Sequence, residues 1–301
     1  MIKLALVIPY FKIDFFEETL KSVAAQSNKN FALYVGNDAS PNNPLPLLQK
    51  YFREEDYHYF EYKENLGGEN LALQWERILE NTTEEWFQIL GDDDVISTNF
   101  VEEFYNNLAL IEKSKINVIK FSQAEMDRNG AVLTPFTNFK KIAHYTDIWT
   151  DNFLKHARSS LSEHIFRKSE YLKFRFKKYP LAWFSDDMAI LEISHFSAIF
   201  FIGTAHVLVR ISEKSISGMT TDPAYNKQKE VARLCFYEDL LSHFRRLPKK
   251  NVEPLLKFYL SLCWHLKVRK TINLIPLYFY IGKPHKILTI PYKKFLLKNN
   301  A

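Results

Sequence analysis

The sequence predicts an α/β fold, a doubly wound and mostly parallel sheet followed by a helical, basic C-terminal extension. Three observations carry this expectation. Apolar runs alternate with helically spaced apolar positions, polar clusters fall just after those runs, and the charge balance inverts near the C-terminus. The 301 residues, 47% hydrophobic and 25% charged, suffice for one large domain with an appendage and exclude disorder, collagen and coiled coil.

Residues 3–10 form an apolar run, Phe16, Leu20, Val23 and Ala24 recur at helical spacing, and Phe31–Val35 is a second run, together a βαβ opening. Leu45 to Tyr51 then reads as a helix, Tyr57 to Tyr62 as a strand and Asn70 to Leu79 as a helix. Trp86 to Leu90 is a fourth strand that ends in Gly91-Asp92-Asp93-Asp94. Phe100, Phe104, Leu108 and Ile111 mark one more helical face, and Asn117–Phe121 a further strand. Residues 1–121 therefore form the doubly wound unit, and ligands in such sheets bind beyond the carboxyl ends of the strands. Residues 122–223 are less regular, with short strands near 162–167 and 199–211 and a polar break at Ser185-Asp186-Asp187. Helical, basic sequence begins at 224, with a boundary near Asp222-Pro223 because proline disfavours helix before itself. Met1 runs straight into Leu4–Pro9 without a basic leader or cleavage site, so a first strand rather than a signal peptide is expected. Cys235 and Cys263 are too few for a disulfide framework or a cysteine zinc site, and a reducing compartment is expected.

The net charge of +5 conceals a division: residues 245–301 hold thirteen Lys or Arg against one acid, Glu253, so they carry +12 and the rest of the chain −7. A polyanionic partner follows, nucleic acid or an anionic membrane face. Tyr259, Trp264, Tyr278, Phe279, Tyr280, Tyr292 and Phe295 interleave with lysines and long aliphatics, which favours the membrane interface, and no nucleic acid is expected. No span fits, since the uncharged stretch Thr271–Gly282 contains Pro276 and falls well short of about 20 apolar residues. A helical cap with a solvated basic face accounts for the same composition.

Three adjacent aspartates after a buried strand repel one another, and a hard divalent cation, Mg2+ or Mn2+, offsets that cost through carboxylate oxygens. An acidic loop capping a helix at Ser97 or Thr98 is the alternative. Asn37-Asp38 taken alone is an ordinary turn.

In order along the chain come Val7-Ile8-Pro9-Tyr10, the segment Glu18 to Ser27, Gly36-Asn37-Asp38-Ala39-Ser40, Glu64-Asn65-Leu66-Gly67-Gly68, Gln74-Trp75-Glu76-Arg77 and Leu90-Gly91-Asp92-Asp93-Asp94. This set resembles the GT-A, family 2 glycosyltransferases over about the first 220 residues. The resemblance implies an inverting transferase that takes a sugar from a nucleotide diphosphate, commonly UDP, with Mn2+ or Mg2+ on the diphosphate. It implies a catalytic domain at 1–223, with a nucleotide-sugar half at 1–121 and an acceptor half at 122–223, and an extension at 224–301. It places Pro9 and Tyr10 at the nucleotide edge, Asp38 on the base, Asn65 and Gly67 beside the nucleotide, Asp92 near the ribose, and Asp93 with Asp94 at the metal. Gly91 stands where the family carries a first acid. Trp183 to Ala189 resembles the segment that presents the catalytic base, which makes Asp187 or its neighbour Asp186 that base. His206 corresponds to a region where some relatives add a metal or diphosphate ligand, although a lone histidine is more often structural, and Arg210 more often a surface ion-pair partner. His164 is weighed the same way, and Trp183 is either a sugar platform or core.

The expected activity is transfer from a UDP-sugar to a hydroxyl of a glycan or lipid-linked glycan, in surface polysaccharide synthesis at the cytoplasmic face of the membrane. Two alternatives share the fold. One is a non-catalytic nucleotide-sugar-binding or assembly protein, motivated by Gly91. The other is a sugar nucleotidyltransferase, disfavoured because Tyr10-Phe11-Lys12-Ile13-Asp14 lacks the glycine-rich basic loop. Phosphate-loop, α/β-hydrolase and zincin motifs are absent.

Overall fold

The structure, a computed structural model, describes residues 2–145, 148, 159–212, 218 and 221–287. Its first half is built from β1 (Leu4–Tyr10), α1 (Phe16–Ala24), β2 (Phe31–Asp38), α2 (Leu45–Tyr51), β3 (Tyr57–Tyr62), α3 (Leu66–Glu69), α4 (Leu71–Leu79) and β4 (Trp86–Ile89). Then come β5 (Val95–Ile96), α5 (Phe100–Lys113), β6 (Val118–Met126), β7 (Ile142–His144), β8 (His164–Arg167), α6 (Lys168–Phe174), α7 (Ser185–Ile193) and β9 (Ala198–Arg210). Helices α8 (Pro223–Ser242), α9 (Lys249–Leu266) and α10 (Leu274–Tyr280) follow.

The strands form one sheet in the order β3-β2-β1-β4-β8-β6-β9-β5, with β7 also on β9. Strands β1, β2, β3 and β4 pair in parallel. Because β8 is antiparallel to both β4 and β6, and β9 is parallel to β6, six of the nine described strands run the same way. The strand expected near 162–167 is thus the splice that joins β6 and β9 to the first four strands within one sheet. The strand expected to end at Phe121 continues to Met126, and its pairing with β9 slips between Phe121 and Ser122, where β9 bulges through Gly203, Thr204 and Ala205.

The sheet is buried on both faces, as the unbroken apolar run of β1 requires. Leu4, Leu6, Ile8 and Tyr10 pack with α1, α2 and α5 through Phe16, Leu20, Leu48, Phe100 and Phe104. Ala5 and Val7, one residue out of phase, pack on the opposite face with Ala72, Trp75 and Ile78 of α4. That second core runs on through Met188 of α7 into Phe236 and Leu240 of α8 and Leu255 and Tyr259 of α9. The C-terminal helices therefore complete the core beneath the sheet. Asp222 caps α8, its carboxylate accepting from the backbone N–H of Ala224 at 2.8 Å, and Pro223 opens the helix. No helix among the described residues is long and apolar enough to cross a membrane. Tyr292 and Phe295 lie outside the described residues.

Candidate functional site

The carboxyl ends of β1, β2 and β4 lie side by side, and the N-terminus of α3 meets the end of β2. Asp38, the last residue of β2, is buried, and both its oxygens are engaged: Leu66 N–H donates to Oδ1 at 2.9 Å and Gly67 N–H to Oδ2 at 2.8 Å. Burial raises the Asp38 pKa, opposed by these donors and by Arg77, which pairs with Oδ1. Gly67 is required here, since a Cβ would stand 2.4 Å from Oδ2. Asn65 caps α3 by accepting from Gly68 N–H. The side chain of Asn37 donates to the Tyr59 hydroxyl at 3.0 Å and accepts from Ser40 N–H at 2.9 Å, the turn geometry its type favours. Tyr10 departs from its expected place at the nucleotide edge: its ring is buried 4.5 Å from Phe16 and its hydroxyl donates to Asn42 O at 3.0 Å. Pro9 is half-buried at the strand end.

Arg77 is a site residue that the sequence reading left without a role. Its guanidinium lies 3.7 Å from the Tyr62 ring centroid and donates to Glu64 O at 3.0 Å, while Gln74, one turn earlier, donates to Gly36 O at 2.8 Å. The i, i+3 spacing of these polar residues on an otherwise apolar helix face was the available signal.

The three aspartates after β4 have different duties. Asp92 accepts from the N–H groups of Phe11 at 2.8 Å and Lys12 at 2.7 Å, which ties the turn to the loop after β1. Asp94 is buried, accepting from Arg210 N–H at 2.8 Å through one oxygen and from the Ser162 hydroxyl through the other. Each Asp94 oxygen thus holds one donor of the fold. The carboxylate of Asp93 receives no hydrogen bond from another residue among those described. Desolvation by the surrounding protein raises Asp92 and Asp93 to about 7, with the adjacent carboxylates adding to it, and raises Asp94 to about 6. A Cβ on Gly91 would lie 2.8 Å from Asp94 Oδ2 and 3.2 Å from Asp93 Oδ1, so a side chain there, a carboxylate included, would crowd acids already in place.

Unneutralised charge and one open carboxylate fit a hard divalent cation held by Asp93, with ligand phosphate and water supplying the rest of its shell. No group of three or more His, Cys, Asp or Glu able to hold a metal occurs among the described residues. His206 stands apart from the aspartates. Its ring lies 4.7 Å from Phe136, and Arg210, where β9 meets Asp94, is four residues or about 13 Å further along the strand. Arg210 is buried rather than a surface ion-pair partner. It pairs with Glu18, donates to Asp93 O at 3.0 Å and Asp127 O at 2.9 Å, and lies 4.2 Å from the Phe15 ring.

Asp186 and Asp187 occupy the first turn of α7, and the Tyr145 hydroxyl donates to Asp187 Oδ1 at 3.1 Å. Desolvation raises Asp187 to about 6, moderated by Tyr145 and the nearby Lys120, while Asp186, half-buried beside Asp187, is raised well above the usual range. The turn before them is strained: Leu181, Ala182 and Phe184 have φ of 58°, 52° and 68°, each costing about 1–3 kcal/mol for a residue with a side chain. The Trp183 ring already carries Lys229 Nζ at 4.6 Å from its centroid, so one face is occupied by a cation.

Between the two carboxylate clusters lies a dry ion pair. Lys120 Nζ on β6 is 2.7 Å from Glu163 Oε1 and 3.0 Å from Ser159 Oγ, with both charged side chains fully buried. Burial alone would raise Glu163, but Lys120 and the serine donors hold it down to about 2. His164 is lowered to about 3 by burial and Lys120, and one ring nitrogen lies 2.7 Å from Ser160 O, so it is a neutral core residue. Ser162, next to Glu163, bonds Asp94 and so ties this turn to the acidic cluster after β4.

The strand ends thus carry Asp93 with a carboxylate that no other described residue bonds, and the first turn of α7 carries a second acid pair. The Glycosyl transferase family 2 profile matches residues 5–196, more than half of the chain, and the protein belongs to that family. Among solved structures, S. aureus TarS 1-349 in complex with UDP-GlcNAc aligns at TM-score 0.63 and 16% identity over 87% of this chain and 73% of that one. S. aureus TarS 1-349 in complex with UDP aligns at 0.54 and 18%, covering 81% and 72%. S. aureus TarS itself aligns at 0.60 and 14%, covering 96% of this chain and 49% of its own. At these identities the likeness is one of fold. No curated protein sequence matches.

Replacing Lys120 by Met leaves Glu163 charged and unpaired in the interior, and the expected loss is about 3–5 kcal/mol in denaturant unfolding. Adding Glu163→Gln to that variant removes the stranded charge and is expected to recover a large part of the loss.

Proposed function

We propose that the protein transfers a sugar from a UDP-sugar, with inversion, to a hydroxyl of a glycan or lipid-linked glycan, using Asp93 to hold a divalent cation and Asp187 as the base. The observation that carries this reading is the turn after β4, where backbone and hydroxyl donors of the fold hold Asp92 and Asp94 while no other described residue bonds the Asp93 carboxylate. The nucleotide ligands of the TarS complexes support UDP as the donor nucleotide. A bound Mn2+ or Mg2+ would neutralise the charge that builds on the departing diphosphate. The chain's own residues do the rest. Asp38, braced by Arg77 and the α3 amides, shapes the base end of the crevice, and Asp92 holds the β1 loop against it. Asp187, oriented by Tyr145, takes the proton of the attacking hydroxyl, while Asp186 stays protonated and spares it a second negative charge.

Calorimetric titration of UDP with and without Mn2+, on wild type and Asp93→Ala, tests the site. Manganese-dependent binding that is lost in the variant is expected. Binding that is equal with and without the metal would remove Asp93 from the cation site, and nucleotide binding without sugar transfer to any acceptor would favour the non-catalytic alternative.

A base whose pKa is near 6 is active when deprotonated, so UDP release is expected to rise with pH through about 6. The Tyr145 hydroxyl lowers that pKa, hence Tyr145→Phe moves the acidic limb upward. The variant should lose most at pH 6 and least at pH 8, and an unmoved limb would count against Asp187.

The membrane reading of residues 245–301 is supported by exposed apolar side chains beside exposed cations. Phe279 is 63% and Ile275 51% exposed one turn apart on α10, near Trp264 in sequence at 67%, and Lys267, Arg269 and Lys270 are exposed in the intervening connection. We place the enzyme at the cytoplasmic face of a membrane, in surface polysaccharide synthesis. The full-length protein is expected to sediment with phosphatidylglycerol vesicles and not with phosphatidylcholine vesicles, and Ile275→Ser/Phe279→Ser should abolish this. Equal sedimentation by the variant would remove the surface.

A further inference from the structure

The turn that presents Asp186 and Asp187 is built against its own backbone preference, and one face of α8 holds it there. Leu181, Ala182 and Phe184 take left-handed φ although none is glycine, the residue that adopts such angles without steric cost. Opposite them stand Lys229, Arg233, Phe236 and Asp239, spaced four, three and three residues apart along α8, a single stripe of the helix. Lys229 lies over the Trp183 ring at 4.6 Å, and Arg233 over the Phe184 ring at 5.9 Å. Phe236 stacks on Phe184 with centroids 4.8 Å apart and planes within 3°. Asp239 accepts the hydroxyl of Tyr179. On the other side Asn70 donates to Tyr179 O at 2.7 Å, and the Ser185 hydroxyl to Lys177 O at 2.6 Å. Each member of the stripe thus meets a residue of the 179–184 segment.

We propose that α8 is a positioning element of the active site: Phe236 and Asp239 clamp the strained 179–184 turn and thereby set where the Asp187 carboxylate stands. The proposal rests on Asp187 being the base. Left-handed residues with side chains persist only where their surroundings over-determine them, and freed of the stripe they return to right-handed or extended backbone. Such a change immediately before α7 turns the helix start, and the two aspartates with it. Phe236 and Asp239 act through the turn and touch neither substrate nor reacting atoms. The C-terminal helices are therefore part of the apparatus for catalysis as well as of the core.

The test uses the full chain with Tyr179→Phe and, separately, Phe236→Leu. The groups that act on Asp187 are Tyr145, Asp186, Glu163 and Lys120, and neither substitution removes any of them. Three readouts are taken: the titration of the Asp187 carboxyl carbon by NMR, assigned by its loss in Asp187→Asn; amide exchange across 180–187; and UDP binding with Mn2+. The expected result is an Asp187 midpoint moved by about one unit toward the ordinary carboxylate range. Amide exchange across the turn should be about tenfold faster, with UDP affinity within about twofold of wild type. An unmoved midpoint with unmoved exchange overturns the clamp. If Phe236→Leu fails to fold, Tyr179→Phe, which deletes one hydroxyl, decides the matter. Leu181→Gly leaves α8 intact and relieves the strain, so its melting temperature should rise, and no rise overturns the strained-turn argument. Full UDP release by Asp187→Asn overturns the base assignment and with it the catalytic meaning of the clamp, whereas the exchange and titration readouts judge the clamp itself.

Discussion

Charge in a place without water is the constraint on which this structure depends. The turn after β4 puts three carboxylates side by side, and the buried guanidinium of Arg210 holds the turn in shape by bonding its backbone, pairing with Glu18 on α1 and reaching across to the carbonyl of Asp127. Through this one side chain the last residue of β9 is bound to the first helix and to the loop after β4. The geometry explains why β9 continues to Arg210 and why the acidic turn does not splay apart under its own repulsion.

The acids divide by what they are bonded to. Asp92 takes two backbone donors on one oxygen, Asp94 takes one donor on each oxygen, and Asp38 takes an α3 amide on each of its own. Among the described residues no other residue donates to the Asp93 carboxylate, and Asp187 holds a single tyrosine donor. Burial raises both, so each is an anion obtained at a cost in desolvation. The Lys120–Glu163 pair cancels its own charge in the dry interior, beside the place where β8 joins β4 to β6.

The basic extension has two faces with different roles. Its inner face, from Phe236 to Tyr259, is continuous with the core that covers α4 and α7, so the fold is incomplete without it. Its outer face carries the exposed Ile275 and Phe279 beside lysines and arginines. A boundary at Asp222-Pro223 is real as a helix start, where Asp222 caps and proline opens α8, yet the apolar packing runs across it.

By itself the sequence determined what depends on local pattern: the alternation of strands and helices to residue 121, the polar clusters at strand ends, the strands near 162–167 and 199–211, and the helical extension. These follow from periods of 2 and 3.6 and from capping residues, all written within a few positions of one another. Only the tertiary structure decided which atoms of those clusters remain open. That Tyr10 turns into the core, that Asp94 is bonded by Ser162 and Arg210, that His206 stands away from the acids and that Arg77 braces Asp38 are outcomes of contacts between residues 28 to 116 positions apart, or of strand register. Whether a carboxylate is free or committed depends on which donors the fold brings within 3 Å of it, and spacing along one chain does not encode that distance.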